Sequence, residues 1–128
     1  MSTLERALDF KVTSAPPFTY NQSTFQGHMV DIQSQDDMIP ALKAINMDTR
    51  VGQADHNIYA YRVDRGDSCV EHFNDDREWG AGKRLLTLLK DGRIKNKLLV
   101  VTRWFGGTHL GPKRFQFITE AAAAVLSK

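Results

Sequence analysis

The chain has 128 residues, 41% hydrophobic and 25% charged, a composition that excludes disorder, a collagen-like repeat and two sizeable domains. Its net charge is only +2, yet residues 1–76 hold 6 basic and 12 acidic side chains while residues 77–128 hold 11 and 3. Halves at −6 and +8 mean either two faces with different partners or two halves that interleave in space and cancel.

A single domain of this length buries roughly two-thirds of its unfolded surface and needs no metal or disulfide staple. Apolar runs such as Leu98 to Val101 and Ala121 to Leu126 fall well short of the ~18 residues of a membrane span. Glu5 and Asp9 stand where a secretion leader would carry its apolar core, and Cys69 has no second cysteine to pair with. A cytoplasmic protein without a membrane partner is the expectation.

Residues 1–22 are polar, and Pro16–Pro17 opposes a helix there; a flexible N-terminal arm is expected, with the domain over 23–128. Thr24 to Ile32 reads as a first strand. Ser34 is placed to cap a helix through Asn46, with Met38, Leu42 and Ile45 on its apolar face and Pro40 tolerated only in the first turn. His56 to Val63 alternates as a strand, Gly66-Asp67 turns the chain, and Ser68 to Phe73 returns antiparallel. A helix over Trp79 to Lys90 follows, with Leu85, Leu86 and Leu89 as its core stripe. Leu98 to Phe105 is apolar at nearly every position, as a central strand should be. After Gly106 and Gly107, a last helix begins at Gly111-Pro112 and presents Phe115, Ile118, Ala122, Val125 and Leu126. The order β-α-β-β-α-β-α predicts an α/β (α+β) two-layer sandwich, a mixed sheet with helices on one face.

Little in the chain suggests catalysis. His28, His56, His72 and His109 lack metal-ligand spacing, so no metal is expected, and Cys69 on a hairpin strand reads as a small buried residue. Gly80-Ala81-Gly82-Lys83-Arg84 fails the phosphate-loop pattern, with Arg77 where its first glycine belongs and Arg84 where its hydroxyl belongs. Gly106-Gly107-Thr108-His109-Leu110-Gly111 lies between a strand and a helix but lacks the dinucleotide fingerprint, so no cofactor is expected. An enzyme would require His56, Asp75, Asp76 and the glycine bend to converge; Asp75 and Asp76 read more simply as helix caps. The densest cluster is basic. Arg103 and Trp104 end the central strand, and Lys113 and Arg114 open the last helix, where cations oppose the macrodipole. With Lys83, Arg84, Lys95 and Lys97, they predict an exposed docking patch for protein or nucleic acid, with Trp104 as a platform for base stacking.

Ser23-Thr24-Phe25-Gln26-Gly27-His28, His56-Asn57-Ile58-Tyr59-Ala60-Tyr61-Arg62, Arg103-Trp104-Phe105-Gly106-Gly107 and Leu110-Gly111-Pro112-Lys113-Arg114-Phe115 resemble, in order, the signature segments of the IMPACT family, its eukaryotic branch in particular. The resemblance implies a fold similar to the second domain of a small-subunit ribosomal protein and a non-enzymatic role in translational control under amino-acid starvation. Eukaryotic members restrain the initiation-factor kinase by competing for its activator and are associated with actin and ribosomes; bacterial relatives suggest RNA as the alternative partner. Binding residues implied are His56, Asn57, Asp75, Asp76, Arg103, Trp104, Gly106, Gly107, Lys113 and Arg114. Two departures stand out. The family's Asp-Asp-Gly-Glu turn reads Asp75-Asp76-Arg77-Glu78 here, which makes a positive φ costly at Arg77. The N-terminal domain through which full-length members engage the activator has no counterpart in these 128 residues.

Overall fold

A computed structural model describes residues 2–128. Its elements are α1 (Thr3–Ala7), β1 (Val12–Ser14), β2 (Phe18–Tyr20), β3 (Ser23–Asp31), α2 (Met38–Asn46), α3 (Thr49–Gly52), β4 (His56–Asp64), β5 (Cys69–Asn74), α4 (Ala81–Asp91), β6 (Lys97–Trp104) and α5 (Arg114–Leu126). The sheet runs β1-β3-β6-β4-β5, with β2 also on β3. The α+β class follows the expectation, with two differences of detail: every pairing is antiparallel, and helices cover both faces.

The layering follows from strand alternation. Phe25, Ile58, Ala60, Leu99 and Val101 face α4 and α5, where they pack on Leu85, Leu89, Phe117, Ile118 and Val125. Val30, Tyr61, Val63, Leu98 and Val100 face α2 and α3, against Met38, Ala41, Ile45 and Val51. Because β6 feeds both cores, Leu98 through Val101 are all buried; each large apolar side chain so buried stabilises the fold by roughly 1.5–3 kcal/mol. Gly27 lets α5 lie directly on β3, since a Cβ there would run into the Ala121 carbonyl.

Residues 1–22 are more regular than the sequence reading expects. Ser2 and Glu5 form a capping box that starts α1, and Arg6 binds Asp37 at 2.6 Å beside α2. Pro16–Pro17 interrupts an edge strand without preventing it: β1 and β2 flank the pair and both hydrogen-bond to β3, as prolines at a sheet edge permit. Pro40 falls in the first turn of α2, after a 3-10 turn capped by Ser34. The helix expected from Trp79 begins at Ala81 instead, because Gly80 has φ +92°.

Candidate functional site

The central strand β6, from the basic half, lies between β3 and β4 of the acidic half, so the interleaved reading of the charge holds. Lys97 pairs with Asp31 and Lys95 with Asp64. Both lie near the start of β6, about 23 Å of strand from Trp104. They do not join the cluster around the glycine bend.

Alternation also divides that cluster. Arg103 lies opposite Phe25 of β3 and His56 of β4, on the face covered by α4 and α5. Thr102, Trp104 and Asn57 point to the α2 face. Sequence neighbours are thereby separated, and residues 47 positions apart, His56 and Arg103, come together.

They meet at Glu78, in the turn before α4, a carboxylate only 4% exposed. Its Oε1 accepts from Arg103 Nη1 at 2.9 Å and faces His56 Nε2 at 3.1 Å. Its Oε2 accepts from Arg114 Nε at 2.8 Å. His56 Nδ1 lies 2.9 Å from the Asp76 carbonyl oxygen, so only the imidazolium form donates through both nitrogens. A buried carboxylate with several charge-assisted partners holds sheet, α4 turn and α5 start together. Arg103 is therefore buried and neutralised, which corrects the expectation that it is an exposed docking cation. Arg114, half-buried, shares the same carboxylate.

Above this node opens a cleft of about 450 Å³, walled by Asp55, His56, Arg77, Glu78, Arg103, Phe105, His109, Leu110, Gly111 and Arg114. Asp55 accepts the Phe105 N–H at 2.6 Å, and Arg77 donates to the Asp55 carbonyl. The sequence reading overlooked Glu78 as a site residue. Its signals were its place at the end of the Asp75-Asp76-Arg77-Glu78 turn and its being one of three acids among the eleven cations of residues 77–128.

The remaining expected residues do other work. Asp75 caps α4 by accepting from the N–H groups of Gly80 and Gly82 at 3.1 and 2.8 Å. Asp76 accepts from the Asn57 N–H at 2.6 Å. Arg77 does take the positive φ, +68°, in place of the family glycine, and Asp76 has +42°. Gly106 packs so closely on Gln22 that a Cβ would overlap its backbone, while Gly107 turns the exposed bend at φ +97°. Lys113 Nζ donates to the Tyr20 hydroxyl at 2.9 Å. Trp104 is half-buried, donates its indole N–H to the Arg50 carbonyl at 3.0 Å and lies under the Arg50 guanidinium. It is thus no free stacking platform; the exposed tryptophan is Trp79, at 79%.

On the opposite face, Asn57 joins a buried polar chain. Thr102 Oγ1 donates to Asn57 Oδ1 at 2.6 Å, so it accepts from His28 Nε2 at 3.1 Å. His28 Nδ1 then accepts from Ser14 Oγ at 2.7 Å. The ring is neutral in this arrangement. Burial holds its pKa down at about 4, with lesser opposing effects of Asp48 and Arg50. No group of three or more His, Cys, Asp or Glu side chains able to hold a metal occurs among the described residues, and no helix there is long and apolar enough to cross a membrane.

The family model described as the Impact N-terminal domain matches residues 21–126. The chain belongs to this family. Protein IMPACT of Rattus norvegicus is 37% identical over 117 residues, covering 90% of this chain and 37% of the rat protein. The IMPACT homolog of Caenorhabditis elegans is 32% identical over 123 residues, 93% of this chain and 48% of the worm protein. This IMPACT domain therefore spans less than half the length of those relatives. Among solved structures, the two-domain translational regulator Yih1 is 31% identical with a TM-score of 0.63, over 91% of this chain and 46% of that one. A hypothetical protein with a TM-score of 0.77 at 20% identity, over 92% of this chain and 61% of that one, shares the fold. The IMPACT domain described here thus sits in a family that includes a translational regulator.

Proposed function

We propose that the chain is a non-enzymatic regulatory binding module that restrains the initiation-factor kinase during amino-acid starvation by competing for that kinase's activator. The observation that carries this reading is the 31% identity to a translational regulator over 91% of the chain. The contact surface is the basic rim outside the buried node. Lys83, Arg84 and Lys113 are exposed, and the Arg84 and Arg114 guanidiniums both lie on the Phe115 ring, which links the α4 cations to the start of α5. Such a rim suits an acidic protein segment and speeds its encounter. Phosphorylation of the initiation factor, measured with kinase, activator and increasing amounts of this chain, is expected to fall. Unchanged phosphorylation at a large excess of the chain would overturn the proposal.

RNA or ribosome contact is a second reading, supported by Trp79, which stands exposed just before the helix bearing Lys83 and Arg84. An aromatic ring beside cations suits single-stranded RNA. RNA binding should weaken steeply with salt; a flat response would remove this reading.

A further inference from the structure

The two edges of the sheet are built differently. One is formed by β1 and β2, three residues each and separated by Pro16–Pro17, which leaves little backbone to template a further strand. The other is β5, an unbroken strand of six residues joined to the sheet through β4 alone. It contains neither proline nor lysine, the residues that most often guard an edge.

Hairpin register fixes which backbone groups of β5 are free. The Arg65 N–H donates to the Ser68 carbonyl, so Arg65–Ser68 is a hydrogen-bonded pair and the pairs beyond it alternate. Val70, His72 and Asn74 therefore bond to β4, while Cys69, Glu71 and Phe73 turn their N–H and C=O groups outward. The β4 residues opposite them agree. The Arg62 carbonyl, across from Glu71, accepts from the Asn96 N–H on the far side, and the Asp64 N–H, across from Cys69, donates to Asn96 Oδ1. Among the described residues, no turn or loop backbone group bonds the outward groups of Cys69, Glu71 or Phe73.

The side chains of this edge admit a second strand. Glu71, its one carboxylate, accepts from Arg62 Nε at 2.8 Å and lies 3.9 Å from Lys90 Nζ. Its charge is answered within the chain and does not guard the edge. Phe73, beside Gly82 of α4, is 38% exposed, and Cys69 is half-buried. Strand alternation puts both on the α4 face with Glu71.

We propose that β5 pairs antiparallel with β5 of a second copy of this chain, about a two-fold axis through Glu71. Cys69 then meets Phe73 of the partner subunit, Phe73 meets the partner's Cys69, and Glu71 meets its own counterpart. Each pair exchanges both of its backbone bonds. Moving the axis by one residue either way leaves one of the three outward residues unmatched within the strand. Each phenyl ring covers a small sulfur-bearing side chain, and the two Glu71 carboxylates share the Arg62 and Lys90 cations of both copies, so opposed acids do not forbid the register. Because the β1/β2 edge is guarded, assembly closes at two copies in an isologous dimer. A six-residue pairing makes a small interface with micromolar affinity. The dimer does not depend on the kinase reading, because it uses β5 and not the basic rim.

Sedimentation equilibrium of the full chain over about 1–300 μM brackets such an interface. The mass should rise from one chain to two and stop there; one chain throughout, or growth past two, overturns the dimer. Phe73→Lys, made at a partly exposed edge position, should weaken association at least about tenfold and leave the melting temperature in place. Undiminished association of that variant overturns the assignment to β5. Phe73→Cys sets the new thiol opposite Cys69 of the partner subunit, within disulfide reach, so mild oxidation should link the copies. Wild-type chains should stay unlinked, since the two Cys69 residues stand about 14 Å apart. Lys83→Cys, exposed on α4, gives the rate of chance encounter, and linking of Phe73→Cys no faster than that overturns the register.

Discussion

Replacing Glu78 by Gln keeps the shape of the side chain and removes its charge. Arg103 would then remain buried without a counter-ion, and the amide nitrogen that replaces one carboxylate oxygen could no longer accept from the cations on its side of the node. Breaking a buried ion pair by removing one partner costs about 3–5 kcal/mol, chiefly because the other charge stays desolvated. For a domain of this size that corresponds to a fall in Tm of roughly 10–20 °C. Urea unfolding and thermal melts of four proteins make the test: the wild type, Glu78→Gln, Arg103→Met and the double variant. The double variant should recover most of the loss, because neither charge is then stranded, and the coupling energy isolates the pair. A Glu78→Gln protein melting within about 2 °C of the wild type, less than 1 kcal/mol is worth at this size, would refute the buried node.

His28 makes stability depend on pH in a defined direction. Its native pKa of about 4 lies below the ordinary 6.5, so its contribution is complete above pH 6.5. As pH falls from 6.5 to 4, the unfolded chain binds the proton first and about 3 kcal/mol is lost. NMR titration of the ring should give a midpoint near 4; a midpoint near 6.5 would contradict the neutral Ser14–His28–Thr102 chain. Gly27→Ala should destabilise by about 1–3 kcal/mol, because α5 must move off β3. An unchanged urea midpoint would show that α5 does not rest on that backbone.

Pattern made the main strands and helices legible, because β4 alternates, α5 repeats its apolar residues at helical spacing, and β6, buried on both faces, is an unbroken apolar run. The first 22 residues were not, since edge strands of three residues carry too little pattern and Pro16–Pro17 masks their pairing. The site was half legible. His56 and Arg103 stood out as residue types, but strand register alone sets them side by side. The same alternation sends Trp104 to the other face. Glu78 was hidden because the last acid of the Asp75-Asp76-Arg77-Glu78 turn looks like solvated surface until its burial is known.

The regulatory proposal is tested most directly by displacement. A labelled activator-binding segment of the kinase is bound to its activator, and this chain is titrated in while anisotropy is followed. Full displacement by the wild type is expected, with clear weakening when Arg84 and Lys113 are both changed to Glu and the melting temperature is preserved. Retention of the labelled segment at saturating wild-type chain would contradict competition for the activator.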